Sequence, residues 1–546
     1  MRYSLFLLVF LAASVAFPGK VAAGSPNKSP SDRGVTTVSK FTRSVWLDVS
    51  RVKIHLNNRG ALDNNPPGGN GGAYWPDASN PHRNVVLFDF GPWVVGKLNG
   101  VPKMGLSQWG SSYSPGPAID GQAALVARPA DSLRYRLYRI TRGDSAGSNP
   151  DYSDWPVDLG APLDAQGKPR LYGDQTIWGV FNNLDTLAPS DWWRRNMPMP
   201  GLPVVIQQAV YAHQVPGGDT TALLGNVALI EWTIINVDDV PIESTYVSLW
   251  TDIDFNDVTR NLPAVDTVNQ LGYCWQVLGG VTYGPPRAVG FVWLYGPSVP
   301  SAGSQALFKG RPRVNFRNLP MSSFWGIQTG SSEDSSFGGP AYSMGTAWNI
   351  ARGFDKAGNP ILDSMTHQET KFLYSGDPVT GSGWLCPHSS GGAGFNMFSG
   401  PFTLASHDTQ WVMAALIPVS DPDPLECVRL IRQSAATLRA MSYQSIVVTS
   451  VPDQASPLPA RGELAQNYPN PFNPSTTIRY GLPQRAHVML TVFNTLGQQV
   501  AVVQNGEQEV GYHEVKFDGS NLASGVYFYR MQAGTYVQTR KLLLMK

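Results

Sequence analysis

Three stretches near the middle of the chain are dominated by β-branched and aromatic residues. They are VVIQQAVYAHQV (Val204–Val215), NVALIEWTIINV (Asn226–Val237) and STYVSLWTDIDF (Ser244–Phe255). Such residues fit a pleated, largely buried surface. Asp238–Pro241 reads as the turn between the second and third, and AVGFVWLYG (Ala288–Gly296) is a further strand. Strands at this spacing with short links predict an antiparallel sandwich rather than alternating βαβ units. One helix stands out. Asp423 can cap it, and Pro424 suits its first position. Leu425, Val428, Ile431, Ala435, Leu438 and Met441 then recur at helical spacing, which predicts a stripe packed on the sheet. Cys427 lies beside that stripe, as a packing residue.

A second pattern begins after SVPDQASPLPAR, whose prolines and small residues mark a linker within 444–462. In QNYPNPFNPSTTIRY (Gln466–Tyr480), each Asn before a Pro is pushed away from the α region, and Asn side chains can close turns on nearby backbone. The segment therefore reads as a stiff, turned opening. Alternation follows at Thr477–Tyr480 and in HVMLTVF, where Val488, Leu490 and Val492 share one face. Asn494–Gly497 is a turn. YHEVKF, GVYFYRM and TYVQTRKLLL supply three more strands. Five or more short strands separated by turns describe a small Ig-like sandwich over 463–546.

Composition agrees with a mostly β chain. Among 546 residues, only 15% are charged, against 11% aromatic, with 55 Gly and 44 Pro. Few charges and many turn-formers favour sandwiches with long loops over helical bundles. The predicted order is a signal peptide (1–23), a polar leader (24–44), a large antiparallel β-sandwich-like body (45–443) long enough for two subdomains, the linker, and the small tail. The signal peptide rests on Met1-Arg2, the apolar run Leu5–Phe17 and the small residues Val21-Ala22-Ala23 before Gly24. No later run is long and apolar enough to span a bilayer. The net charge of +1, with no basic block, argues against a nucleic-acid partner. Three cysteines (Cys274, Cys386, Cys427) form no CxxC motif, and one disulfide or three buried thiols both fit.

The tail closely resembles the C-terminal sorting domain of proteins exported by the type IX secretion system, and the related Ig-like domain of flagellar hook-capping proteins. The matching pieces are LAQNYPNPFNPSTTIRYGLP, VFNTLGQQV, GYHEVKFDGSNLASGVYFYR and RKLLLMK. The resemblance implies two-step export in a Gram-negative cell. The signal peptide would cross the inner membrane, and the outer-membrane translocon would read the tail. The destination is extracellular, or anchored at the outer cell surface. The body is similar to a region common in such cargo, through NNRG, GDQTIWGVFNN, WTDIDFNDV, KFLYSGDPVTGSGW and SGPFTLASHDTQWVMAAL. That likeness carries no known activity.

Candidate chemistry in the body is sparse. In TDIDFNDVTRNLPAVD, oxygen-bearing Asp252, Asp254, Asn256, Asp257 and Asp266 suit a hard cation such as calcium. The spacing is not an EF-hand, because Asp257 stands where glycine is required and Pro263 where a bidentate Glu is required. The competing reading is a loop whose carboxylates cap turns and face water. Ser343 in AYSMG is a faint match to a nucleophile elbow, without the first glycine. The eight histidines form no ligand pair; His388 and His407 are read as structural. Sixteen tryptophans include Trp192 and Trp193 in DWWRR, which could stack on sugar rings or anchor a loop. The expectation is a non-catalytic surface, adhesion or glycan-binding component. The alternative is a secreted hydrolase acting on polysaccharide or protein.

Overall fold

The computed structural model describes residues 44–448 and 462–545, apart from 63–70, 109–110, 120, 125–132, 185–200, 216–218, 220, 278–283, 329–343, 388–391, 468–469, 471 and 509. The chain divides into two compact units, Met1–Thr449 and Ser450–Lys546.

The first unit is a β-sandwich with helices outside it. The strands predicted from the apolar runs are Val204–Ala212, Ala228–Asn236, Ile242–Ile253 and Arg287–Tyr295. The larger sheet runs antiparallel in the order Tyr138–Thr141, Gln175–Asn182, Val204–Ala212, Ala228–Asn236, Thr409–Ser420, Arg287–Tyr295, Leu271–Gln276, Asn261–Asp266. The smaller sheet has five strands, Met321–Gln328, Ala393–Leu404, Ile242–Ile253, Asp89–Leu98 and Val101–Leu106. Consecutive strands of the sequence thus part company: Ala228–Asn236 joins one sheet and Ile242–Ile253 the other.

The main core lies between the sheets. Ile230, Trp232, Ile234, Phe291 and Val412 of the larger sheet meet Leu249, Ile253, Phe395 and Met397 of the smaller one. Between the sheets, a Cβ on Gly272 would fall 2.8 Å from the Phe324 ring and 2.9 Å from the Phe395 ring. Only a glycine fits that gap. The outer face of the larger sheet is covered by helix Pro424–Ala440. Asp423 accepts from Leu425 N at 2.9 Å as its cap, and Cys427, Val428, Ile431, Ala435 and Leu438 are buried. The helix Met344–Ala351 covers the smaller sheet, bringing Ala347, Ile350 and Ala351 against Trp93, Trp250 and Trp325. The central strands are therefore buried on both faces. That explains why the central strands read as continuous apolar runs rather than clean alternation.

A short helix, Tyr443–Val447, ends the body with Tyr443, Ile446 and Val447 buried. The body thus extends a few residues into the span expected to be linker. None of the three cysteines is in a disulfide, and all three are buried.

The second unit is a smaller two-sheet sandwich. One sheet is Glu463–Leu464, Ser475–Leu482, Gly511–Asp518; the other is Gln499–Gln508, Ala486–Phe493, Gly525–Ala533, Tyr536–Leu544. Val488, Leu490 and Val492 are fully buried, as their alternation predicts. The opening segment behaves differently from its expected local turns. Asn470 Oδ1 accepts from Leu543 N at 2.8 Å, and Phe472 N donates to Leu543 O at 2.9 Å. Met545 N returns a bond to Phe472 O at 3.0 Å, while Gln466 Nε2 donates to Lys541 O at 2.6 Å. Asn470 and Phe472 thus fasten the segment to the last strand, and Phe472 is buried.

Candidate functional site

The acidic loop follows strand Ile242–Ile253, central in the smaller sheet. Asp252 is buried near the end of that strand, opposite Asp89 on one side and Gly394 on the other. Asp254 follows, and its carboxyl group lies deep although the residue keeps some exposed surface; burial pushes its pKa up to about 6. Asn256 takes a left-handed turn with φ 51°. Its Nδ2 donates to Gln276 Oε1 at 3.0 Å and Pro285 O at 3.1 Å. Asn261 donates from Nδ2 to Phe255 O at 3.1 Å. The loop is thus tied to the neighbouring strand through amides.

The other two expected oxygen donors are engaged elsewhere. Asp257 caps the 3-10 turn Val258–Arg260, accepting from Thr259 N at 3.2 Å and Thr259 Oγ1 at 2.7 Å. Asp266, at the far end of Asn261–Asp266, accepts from Asn269 N and Nδ2 at 3.0 and 2.7 Å and lies 3.7 Å from Arg432 Nε. Asp257 and Asp266 are thus bonded within their own turns, and Asn256 to the neighbouring strand. Among the described residues, no three His, Cys, Asp or Glu side chains gather as a metal ion needs.

A second carboxylate was not singled out in the sequence. Glu231 is buried on the helix-facing side of Ala228–Asn236. Its Oε1 accepts from Tyr211 OH at 2.9 Å and Tyr443 OH at 3.1 Å, and its Oε2 from Trp411 Nε1 at 2.9 Å. Burial raises its pKa, and these three donors and nearby Lys309 pull it back. Stacked Tyr172–Tyr211 and Tyr295–Trp411 pairs surround it. Both oxygens are occupied, so the group acts as a joint between the sheet and the helix Tyr443–Val447. The sequence signal was present: one Glu inside an otherwise apolar strand has to be satisfied by partners.

An open cavity of about 490 Å³ lies beside Tyr138–Thr141, lined in part by Arg134, Arg136, Tyr138, Asp154, Trp155 and Asp158. Arg136 bridges Asp151 and Asp154 at 3.0 Å each and stacks over Tyr138 at 4.2 Å. Arg134 pairs with Asp158. These two arginines are thus paired with acids, and Trp155 is buried rather than presented as a stacking surface. His407 lies in a turn and meets Asp239 at 2.9 Å on the exposed surface. Trp192, Trp193, Ser343 and His388 lie outside the described residues.

Comparison with known proteins bears first on the tail. Residues 466–545 match the family of secretion system C-terminal sorting domains, and the chain therefore carries a type IX sorting domain. Its location is outside the cell, secreted or at the outer surface. None of the curated proteins matches the chain. Among solved structures, a polysaccharide lyase is similar over 62% of this chain at 9% identity with a TM-score of 0.18. The chain spans 34% of that protein, and at this score the likeness carries no argument.

Proposed function

We propose that the protein is export cargo whose body works as a non-catalytic component of the cell surface, in adhesion or in contact with glycans. The observation that carries this reading is the pairing of a sorting tail with a body in which the buried Glu231 is bonded through both oxygens in a structural joint. A general acid or base has to reach a substrate atom, and both oxygens of Glu231 accept hydrogen bonds from its own sheet and helix. The signal peptide at residues 1–23 fits the first step of a two-step route across a Gram-negative envelope. The outer-membrane translocon is the partner of the tail. Trp192 and Trp193 are the residues proposed to meet a glycan, through the apolar faces of their rings.

The test has two parts. Cells expressing the full chain and a form lacking Glu463–Lys546 are fractionated, and the purified mature protein is assayed on a glycan array and on polysaccharide and casein substrates. The expected result is surface location for the full chain, periplasmic retention of the shortened form, and glycan binding without turnover. Release of reducing ends or peptides would replace the binding reading with hydrolysis.

A further inference from the structure

Residues 267–332 contain no Asp or Glu but hold Arg287, Lys309, Arg311, Arg313 and Arg317. Four of these five cations belong to one hairpin, Ser298–Phe308 paired with Arg311–Asn318 as a separate two-stranded sheet. In a chain of net charge +1, this is a strong local imbalance. The hairpin is rigidly placed. Lys309 and Gly310 form its two-residue turn with φ 49° and 76°, the left-handed pair that a tight hairpin needs. A Cβ on Gly310 would fall 2.6 Å from the Tyr443 ring, so the turn rests directly on the helix Tyr443–Val447. Lys309 is half-buried, near enough to Glu231 for the two charges to attract.

The three arginines are arranged otherwise. Arg311 and Arg317 are exposed. Arg313 is partly exposed, its guanidinium 4.1 Å from the Phe316 ring centre and 5.7 Å from that of Phe308, with Nη1 donating to Ser298 Oγ at 2.8 Å. Stacking fixes the plane of the guanidinium while leaving part of its edge to bind. None of the three makes an ion pair with a carboxylate among the described residues. By contrast, Arg134, Arg136, Arg142 and Arg432 are all paired. Val314 is the one large apolar residue of the hairpin that is mainly exposed, which makes a poor membrane-inserting surface.

We infer that this hairpin is a docking strip for an acidic polysaccharide, with Arg311, Arg313 and Arg317 meeting successive carboxylate or sulfate groups along it. The inference deepens the surface-binding reading and rests on it. A planar guanidinium suits both anions through two parallel hydrogen bonds. Repeated charges on a flexible chain engage several arginines at once, so modest single contacts add up.

The experiment uses the mature full-length protein and measures retention on immobilised polygalacturonate, heparin and neutral dextran, on phosphatidylglycerol vesicles, and on short duplex DNA. The triple variant Arg311→Gln, Arg313→Gln, Arg317→Gln is compared with a control of equal charge change at exposed sites, Lys168→Gln, Lys371→Gln, Lys516→Gln. Melting curves check that both fold. The inference expects binding to the acidic glycans and not to dextran, weakened at least about tenfold in the hairpin variant and less than about twofold in the control. Equal loss in both variants would reduce the effect to net charge and overturn it. Tighter binding to vesicles or DNA would overturn the assignment to polysaccharide. Binding to neutral glycans unchanged by the hairpin variant would sink this inference but leave the surface-binding reading standing. Binding to no glycan at all would remove both.

Discussion

At the scale of single residues, two buried carboxylates make opposite predictions. Burial raises the Asp254 pKa from 3.8 to about 6 in the fold. A group whose pKa is raised by folding favours the fold most at low pH, below about 4, and loses that contribution as pH climbs through about 6. Replacing it with Asn removes the buried charge. Asp254→Asn should therefore match wild type near pH 4 and be more stable by roughly 1–3 kcal/mol at pH 7.5, read as a higher Tm. A calcium-holding loop would give the other sign, with the variant less stable and the wild type sensitive to a chelator. Glu231 is tied down where Asp254 is not. Glu231→Ala leaves the Trp411 indole and two tyrosine hydroxyls without their acceptor, and should cost roughly 3 kcal/mol or more in urea unfolding. Loss of less than about 1 kcal/mol would show that water replaces it there.

At the scale of elements, the helix Pro424–Ala440 was legible apart from the two ends of its stripe. Its cap, its first proline and the middle of its apolar stripe are local signals that hold in the structure, whereas Leu425 is only half-buried and Met441 is the C-cap. Ile431→Ala should cost about 2–4 kcal/mol, because Ile431 is fully buried against the sheet. The strands were legible for the same reason, since β-branched runs need no distant information. Sheet membership was not. Nothing local tells Ala228–Asn236 and Ile242–Ile253 to enter different sheets, because that is decided by which faces they bury. The opening of the tail shows the same limit. Its prolines gave away a stiff segment, but Asn470 bonds to Leu543 on the last strand rather than to its own neighbours. Asn470→Ala should therefore destabilise the tail by about 1 kcal/mol and speed amide exchange at Leu543. Unchanged exchange there would mean the last strand is held by its other bonds. The candidate site was legible only as a list of oxygens. Asp252 lies near the end of one strand, and Asp254 and Asn256 follow in the turn after it. Asp266 separates from them because six extended residues carry it to the other end of Asn261–Asp266, where it meets Asn269 and Arg432.

At the scale of the whole molecule, a body and a sorting tail form separate compact units. Each has its own core, so each should unfold on its own. Calorimetry of the full chain should resolve two transitions, and the form lacking Glu463–Lys546 should keep the body's transition within about 2 °C. A single transition lost altogether in the shortened form would show that the body depends on the tail for its fold.

The end of the body has a consequence for life outside the cell. His213 Nε2 meets Ile446 O at 2.6 Å, Gly173 N donates to Val447 O at 2.9 Å, and Tyr443 is bonded to Glu231. These fastenings stitch the chain to the sheet before it leaves for residues 450–461. A cut made anywhere after Val448 would leave these fastenings within the body. The fragment so released would keep its final helix, Tyr443–Val447, sewn to the sheet, denying digestion a loose helix from which to proceed.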